Sequence, residues 1–215
     1  MDLLYIGSII PYLLEGLKIT VTVFVFTLLF SLPLGSLLAS LSMLRSKILT
    51  LFITSYTWIF RGTPLLLQLY FGMYGLPIFG ITLERLTVAI LIFSLNYGAY
   101  FTEIMRGSIL SIDAGQKEVS KTLGFSGIET YLFIILPQAF KRSMQSIGNE
   151  TITLVKDTAL VAAVALSDLL RNAKETVSRD FKVDAFLVAG VYYLLFTLVV
   201  VMIIKFFEKK TRYFN

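Results

Sequence analysis

Apolar stretches as long as a bilayer crossing recur along this 215-residue chain, and they limit what it can fold into more than any other feature. A spanning helix needs about 20 mostly apolar residues, because the hydrocarbon core is about 30 Å thick and the backbone must satisfy its own hydrogen bonds within it. Residues 13–43, 48–74, 86–109, 131–166 and 185–207 meet or approach that requirement. With 56% hydrophobic and only 15% charged residues, a soluble globule is excluded.

The stretches differ in character. The first has no basic segment ahead of it and no short apolar core with a cleavage site, so a retained span is expected rather than a removed leader. The second is interrupted by Gly62, Thr63 and Pro64 and closes on the turn formers Gly75, Pro77 and Gly80. A polar segment, 113–126, follows the third and should lie outside the bilayer as a short helix. The fourth carries Pro137, Gly148, Asn149, Glu150, Lys156 and Asp157, so it cannot face lipid all round. A charged connection, 168–184, leads into the fifth. We see no internal repeat and no second domain, so residues 1–215 read as one transmembrane unit with an extramembrane loop at about 113–128.

Five crossings put the termini on opposite sides. Arg45, Lys47, Arg106, Lys117, Lys121, Lys141, Arg142 and the C-terminal Lys209, Lys210 and Arg212 then share one side, and the smaller basic set, including Arg85, Arg171, Lys174, Arg179 and Lys182, takes the other. Basic residues concentrate in cytoplasmic loops, so the N-terminus is expected outside and the C-terminus inside. The same logic assigns the net charge of +5 to loops and argues against nucleic acid as a partner. Cysteine and histidine are both absent, which excludes thiol chemistry and thiolate metal sites and removes the commonest general base. No phosphate-binding loop of the G-x-x-x-x-G-K-[ST] type occurs, so the chain should not bind ATP in that way.

From Glu118 the chain reads EVSKTLGFSGIETYLFIILP, which resembles the cytoplasmic "EAA" loop of permeases in ATP-binding-cassette importers; Glu118, Gly124, Ile134, Leu136 and Pro137 stand at the family's spacing. Val119 and Ser120 depart from it, replacing the usual alanines. RGTPLLLQL at 61–69 and AYFTEIMRGSILSIDAGQ at 99–116 look like the polar amino-acid permeases, while Gln145 stands where a proline is common. The resemblance implies an all-α integral membrane protein of about five transmembrane helices with a type I importer permease-like fold, in a bacterial inner membrane. It implies a second permease copy or paralogue, a solute-binding protein, and a partner ATPase that holds ATP and Mg; no cofactor belongs to this chain. Glu118, Val119, Ser120, Leu123 and Gly124 would form the coupling helix seated on that ATPase.

Intramembrane charge marks the candidate pathway, since an ionised group at the bilayer centre costs at least about 2.5–3.5 kcal/mol on insertion scales. Glu103 and Arg106, three residues apart, can pair on one helix face. Lys156 and Asp157 are adjacent and need separate partners. Glu150, beside Asn149, is the leading candidate to receive a substrate ammonium or cationic side chain, and the resemblance implies a substrate-contacting carboxylate there. A structural pairing of Glu150 with Arg61 is the alternative. Gln68 is a further candidate, and the break at Gly62–Pro64 either aims a helix end at a ligand or is a packing kink. Two other classes stay open: an ion-gradient-driven carrier, and a membrane-embedded enzyme using Glu103 or Glu150.

Overall fold

The computed structural model describes residues 3–44 and 46–211, so Arg45 and Arg212 lie outside the described residues. Among these, all regular structure is helical: α1 (Leu3–Leu41), α2 (Lys47–Gly62), α3 (Leu65–Tyr70), α4 (Arg85–Leu110), α5 (Gly115–Thr122), α6 (Gly127–Glu129), α7 (Leu136–Asp157), α8 (Leu169–Asp180) and α9 (Asp184–Thr211). Three helices are continuous and apolar enough to cross a membrane, Leu4–Leu41, Arg85–Leu110 and Asp184–Lys210. The other two crossings are composite. One runs from α2 through α3 and a π turn (Phe71–Gly75), ending in a 3₁₀ turn (Leu76–Phe79). The other rises from α6 through a π turn (Thr130–Ile135) into α7 and ends in a 3₁₀ turn (Thr158–Val164).

The hub is α4. Two-thirds of its most apolar stretch (67%) is buried within the chain against 11% for α9, so α4 is a core helix and α9 presents its apolar side chains outward. Phe93, Tyr97, Phe101 and Met105 of α4 pack with Val23 and Phe24 of α1 and with Leu154 and Val155 of α7. Small residues bring α1 and α4 together: a side chain at Gly35 would place its Cβ 2.6 Å from Phe101 Cβ and 2.9 Å from Phe101 C. Such close backbone approach is how helices associate where lipid offers no hydrophobic drive.

Two expectations need correction. The first helix begins near residue 3, ten residues before the expected start, because Ile9 and Leu13 are buried against Leu169 and Ala173. At about 1.5 Å per residue its 39 residues span about 58 Å, well beyond the hydrocarbon core. The charged connection at 168–184 is likewise mostly helix α8. Its N-cap, the buried Asp168, accepts from the Leu170 and Arg171 amides at 3.1 and 3.0 Å, and the Leu169 amide donates to Thr20 Oγ1 of α1 at 3.2 Å. Tyr5 and Tyr12 of α1 donate to Asp180 and Glu175, so α8 is strapped to the early turns of α1. At the opposite end, Tyr131 donates to Ser40 near the end of α1, at 2.8 Å.

Candidate substrate pathway and coupling surface

Pro64 has no N–H, so the carbonyl of Phe60 loses its helical donor and α2 stops at Gly62. The orphaned carbonyl is not left bare. Gln68 Nε2 donates to it at 2.9 Å and Asn96 Nδ2 at 2.8 Å, while Asn96 Nδ2 also donates to Gln68 Oε1 at 3.0 Å. Gln68 further reaches Thr63 Oγ1 at 2.8 Å. Gln68 therefore holds the break from behind, with both ends of its amide engaged by the protein.

Beside the break opens a cavity of about 550 Å³ lined by Arg61, Asn96, Tyr97, Tyr100, Glu150 and Asp157 among others. Glu150, Thr153 and Asp157 reach it because residues three and four apart share a helix face. Asn149 is exposed and does not line this cavity, and its carbonyl accepts from Thr153 Oγ1 at 3.2 Å. Tyr97 donates to Asp157 Oδ2 at 2.7 Å. A second cavity, about 820 Å³, lies toward the α1–α2 turn and the end of α4, lined by Thr54, Thr57, Arg61, Glu103 and Arg106 among others.

Arg61 lines both cavities. Its ion-pair partner is Glu103, at 4.0 Å, rather than Glu150, and its guanidinium lies 5.3 Å from the centre of the Tyr100 ring. The expected Glu103–Arg106 pair is present, at 2.6 Å, and Thr57 donates to Glu103 at 3.1 Å. Lys156 is exposed, and among the described residues it makes no ion pair with Asp157 within 4.0 Å. The contributions of Asn96, Tyr97 and Tyr100 were not anticipated. The polar spacing Asn96, Tyr100, Glu103 on an otherwise apolar α4 is the signal that would have found that face.

At the far end of the molecule, α5 carries the EAA-like residues. Ser120 is buried; its hydroxyl donates to Gln116 O at 2.7 Å and accepts from Thr130 Oγ1 at 3.1 Å. Val119 and Leu123, four residues apart, are 60% and 70% exposed, and Glu118 is exposed with them. The helix closes on Gly124 at φ +86°, where Phe125 N donates to Ser120 O and Gly124 N to Lys121 O. That pattern is a Schellman cap, which requires the left-handed residue that glycine supplies without strain. Ser126 and Glu129 then cap α6 reciprocally, and those bonds hold the Glu129 carboxyl below its ordinary range.

Residues 31–213 match the family described as binding-protein-dependent transport system inner membrane component, and the chain belongs to that family. It is 36% identical over 205 residues, 94% of each chain, to the arginine transport system permease protein ArtQ of Bacillus subtilis (strain 168). It is 32% identical over 206 residues, again 94% of each, to the glutamine transport system permease protein GlnP of Escherichia coli (strain K12). The solved structure of an amino acid ABC transporter with histidines superposes with a TM-score of 0.89 at 29% identity, covering 98% of this chain and 99% of that one. A methionine ABC transporter, MetNI, shares the fold at a TM-score of 0.74 and 18% identity, over 98% and 99% of the two chains. The chain is thus a transport subunit of the type I importer fold, and ATP hydrolysis belongs to a separate ATPase subunit.

Proposed function

We propose that this permease forms the membrane pathway of an ATP-driven importer for polar amino acids, with basic amino acids preferred. The carrying observation is the cavity beside the break, where two carboxylates, Glu150 and Asp157, face one cation, Arg61. One formal positive charge against two negative leaves a net negative charge, complementary to an amino acid with a cationic side chain. The 36% identity to an arginine permease supports the same reading. Glu150 is the substrate's principal counter-charge, Arg61 sets the field at the mouth, and Gln68 acts by holding the break; Asn149 would enter only if α7 rotates.

Glu118, Val119, Ser120, Leu123 and Gly124 of α5 form the coupling surface for the ATPase: Val119 and Leu123 fill a groove on it while Ser120 ties the helix to the body. A second copy or paralogue of the permease closes the pathway, a solute-binding protein delivers substrate at the α8 end, and ATP and Mg sit on the partner. The α8 end then faces outward and the C-terminus lies in the cytoplasm, in a bacterial inner membrane; residues 1–215 act as one transmembrane domain.

The test is uptake of labelled arginine and glutamine into vesicles carrying the permease, its ATPase and binding protein. Saturable ATP-dependent arginine uptake that exceeds glutamine uptake is expected, and uptake driven by an ion gradient without ATP would overturn the reading. Protease access to a C-terminal tag in intact cells would overturn the orientation.

A further inference from the structure

The two cavities meet at one side chain. Arg61 and Gly62 line both, with Glu150 and Asp157 in the cavity beside the break and Glu103 and Arg106 in the cavity toward the α1–α2 turn. An arginine stays charged in any protein environment, and at 43% side-chain exposure Arg61 shares that charge between water and the carboxylates near it. Its present partner is already engaged: Glu103 accepts from Arg106 at 2.6 Å and from Thr57 at 3.1 Å, which leaves Arg61 at 4.0 Å, beyond hydrogen-bond reach. The ring of Tyr100, which lines the cavity beside the break, supports the guanidinium at 5.3 Å. Among the described residues no cation lies within 4.0 Å of Glu150 or Asp157. The guanidinium thus stands between a carboxylate that is already ion-paired and two that have no ion pair among the described residues, one of which, Asp157, accepts from Tyr97.

We infer that Arg61 is an exchangeable counter-cation of the passage, passing between Glu103 and the Glu150 and Asp157 carboxylates, and so competing with a cationic substrate for them. This rests on reading the cavity beside the break as the basic amino-acid site. Glu103 then sets affinity without touching substrate, by holding Arg61 away. Loss of Glu103 drives the guanidinium onto the substrate carboxylates, and loss of Arg61 frees them.

The experiment is equilibrium binding of labelled arginine and glutamine to the solubilised full complex without ATP, for wild type, Arg61→Gln, Glu103→Gln and the double variant. Arg61→Gln should tighten arginine binding about tenfold and Glu103→Gln should weaken it about tenfold, as expected for altering one close charge pair. The double variant should behave as Arg61→Gln alone, and arginine affinity should move more than glutamine affinity throughout. If Glu103→Gln does not assemble, Arg61→Gln decides by itself. Unchanged arginine affinity in Arg61→Gln overturns the exchange. So does weakened binding of both amino acids, which would make Arg61 a carboxylate contact or a structural strut. If wild type binds glutamine but not arginine, both the substrate reading and the exchange fail, whereas arginine binding that ignores Arg61 removes the exchange alone.

Discussion

Asn96 of α4 donates to the carbonyl of Phe60 at 2.8 Å, the acceptor that Pro64 leaves without its helical partner. A buried side chain on one crossing therefore completes the backbone of another. Replacing Asn96 by leucine removes this bond but leaves the one from Gln68, so it should cost about 0.5–1.5 kcal/mol, the net worth of one hydrogen bond. Gln68→Leu should cost a similar amount, and the double variant more than the sum, because only the double variant leaves the carbonyl of Phe60 without a donor. Thermal melting of the assembled complex reads all three, and strict additivity would contradict the shared role.

Glu150→Gln is expected to keep yield and assembly while lowering arginine uptake at least about tenfold, the loss expected when a close charge pair is deleted. Glu150 has no ion-pair partner among the described residues, which is why the fold should tolerate the change. Reduced yield with normal uptake per assembled complex would return Glu150 to a structural role.

Leu123→Asp, on the outward face of α5, should release the ATPase without melting the permease, because Leu123 is 70% exposed in this chain. A charge in the centre of an apolar contact costs several kcal/mol, so co-purification should fall at least about tenfold. Crosslinks from residues 118–124 should capture the ATPase in wild type, and capture only of membrane helices would reject this docking surface.

The strap between α8 and α1 should respond to acid. The Asp180 carboxyl is held at about 2, below its ordinary 3.8, first by its neighbour Arg179 and then by the Tyr5 bond that crosses to α1, and bonds from Tyr12 of α1 and then Arg171 lower Glu175 from 4.5. Groups depressed in the folded state contribute stability above their unfolded values and lose it as pH falls through the folded ones. The strap should therefore hold at neutral pH and loosen between about pH 4.5 and 2, with no alkaline loss from these carboxylates. Hydrogen exchange of residues 169–180 follows it, and Tyr12→Phe should shift the loosening to higher pH.

Where the crossings lie was legible because apolar length is a property of the chain in one dimension, and the break because a missing proline donor is local. What rescues Phe60 was not legible, since Asn96 comes from another helix. The same holds for Arg61: sequence spacing paired Glu103 with Arg106 correctly, but only the packing of α2 on α4 selects Glu103 over Glu150 as its neighbour. The start of α1 was hidden because its first turns are held by α8, whose apolar residues Leu169 and Ala173 are too few to announce a helix.

The seam at Gly35 and Phe101 has a consequence for how motion in this protein can be followed. A seam this close, with a glycine facing Phe101 Cβ and backbone, cannot slide without a clash, so α1 and α4 are expected to travel as one plate. Spin labels on the exposed Leu37 of α1 and Leu110 of α4 should keep a constant separation through the nucleotide cycle, a fixed ruler against which every other distance in the permease can be calibrated.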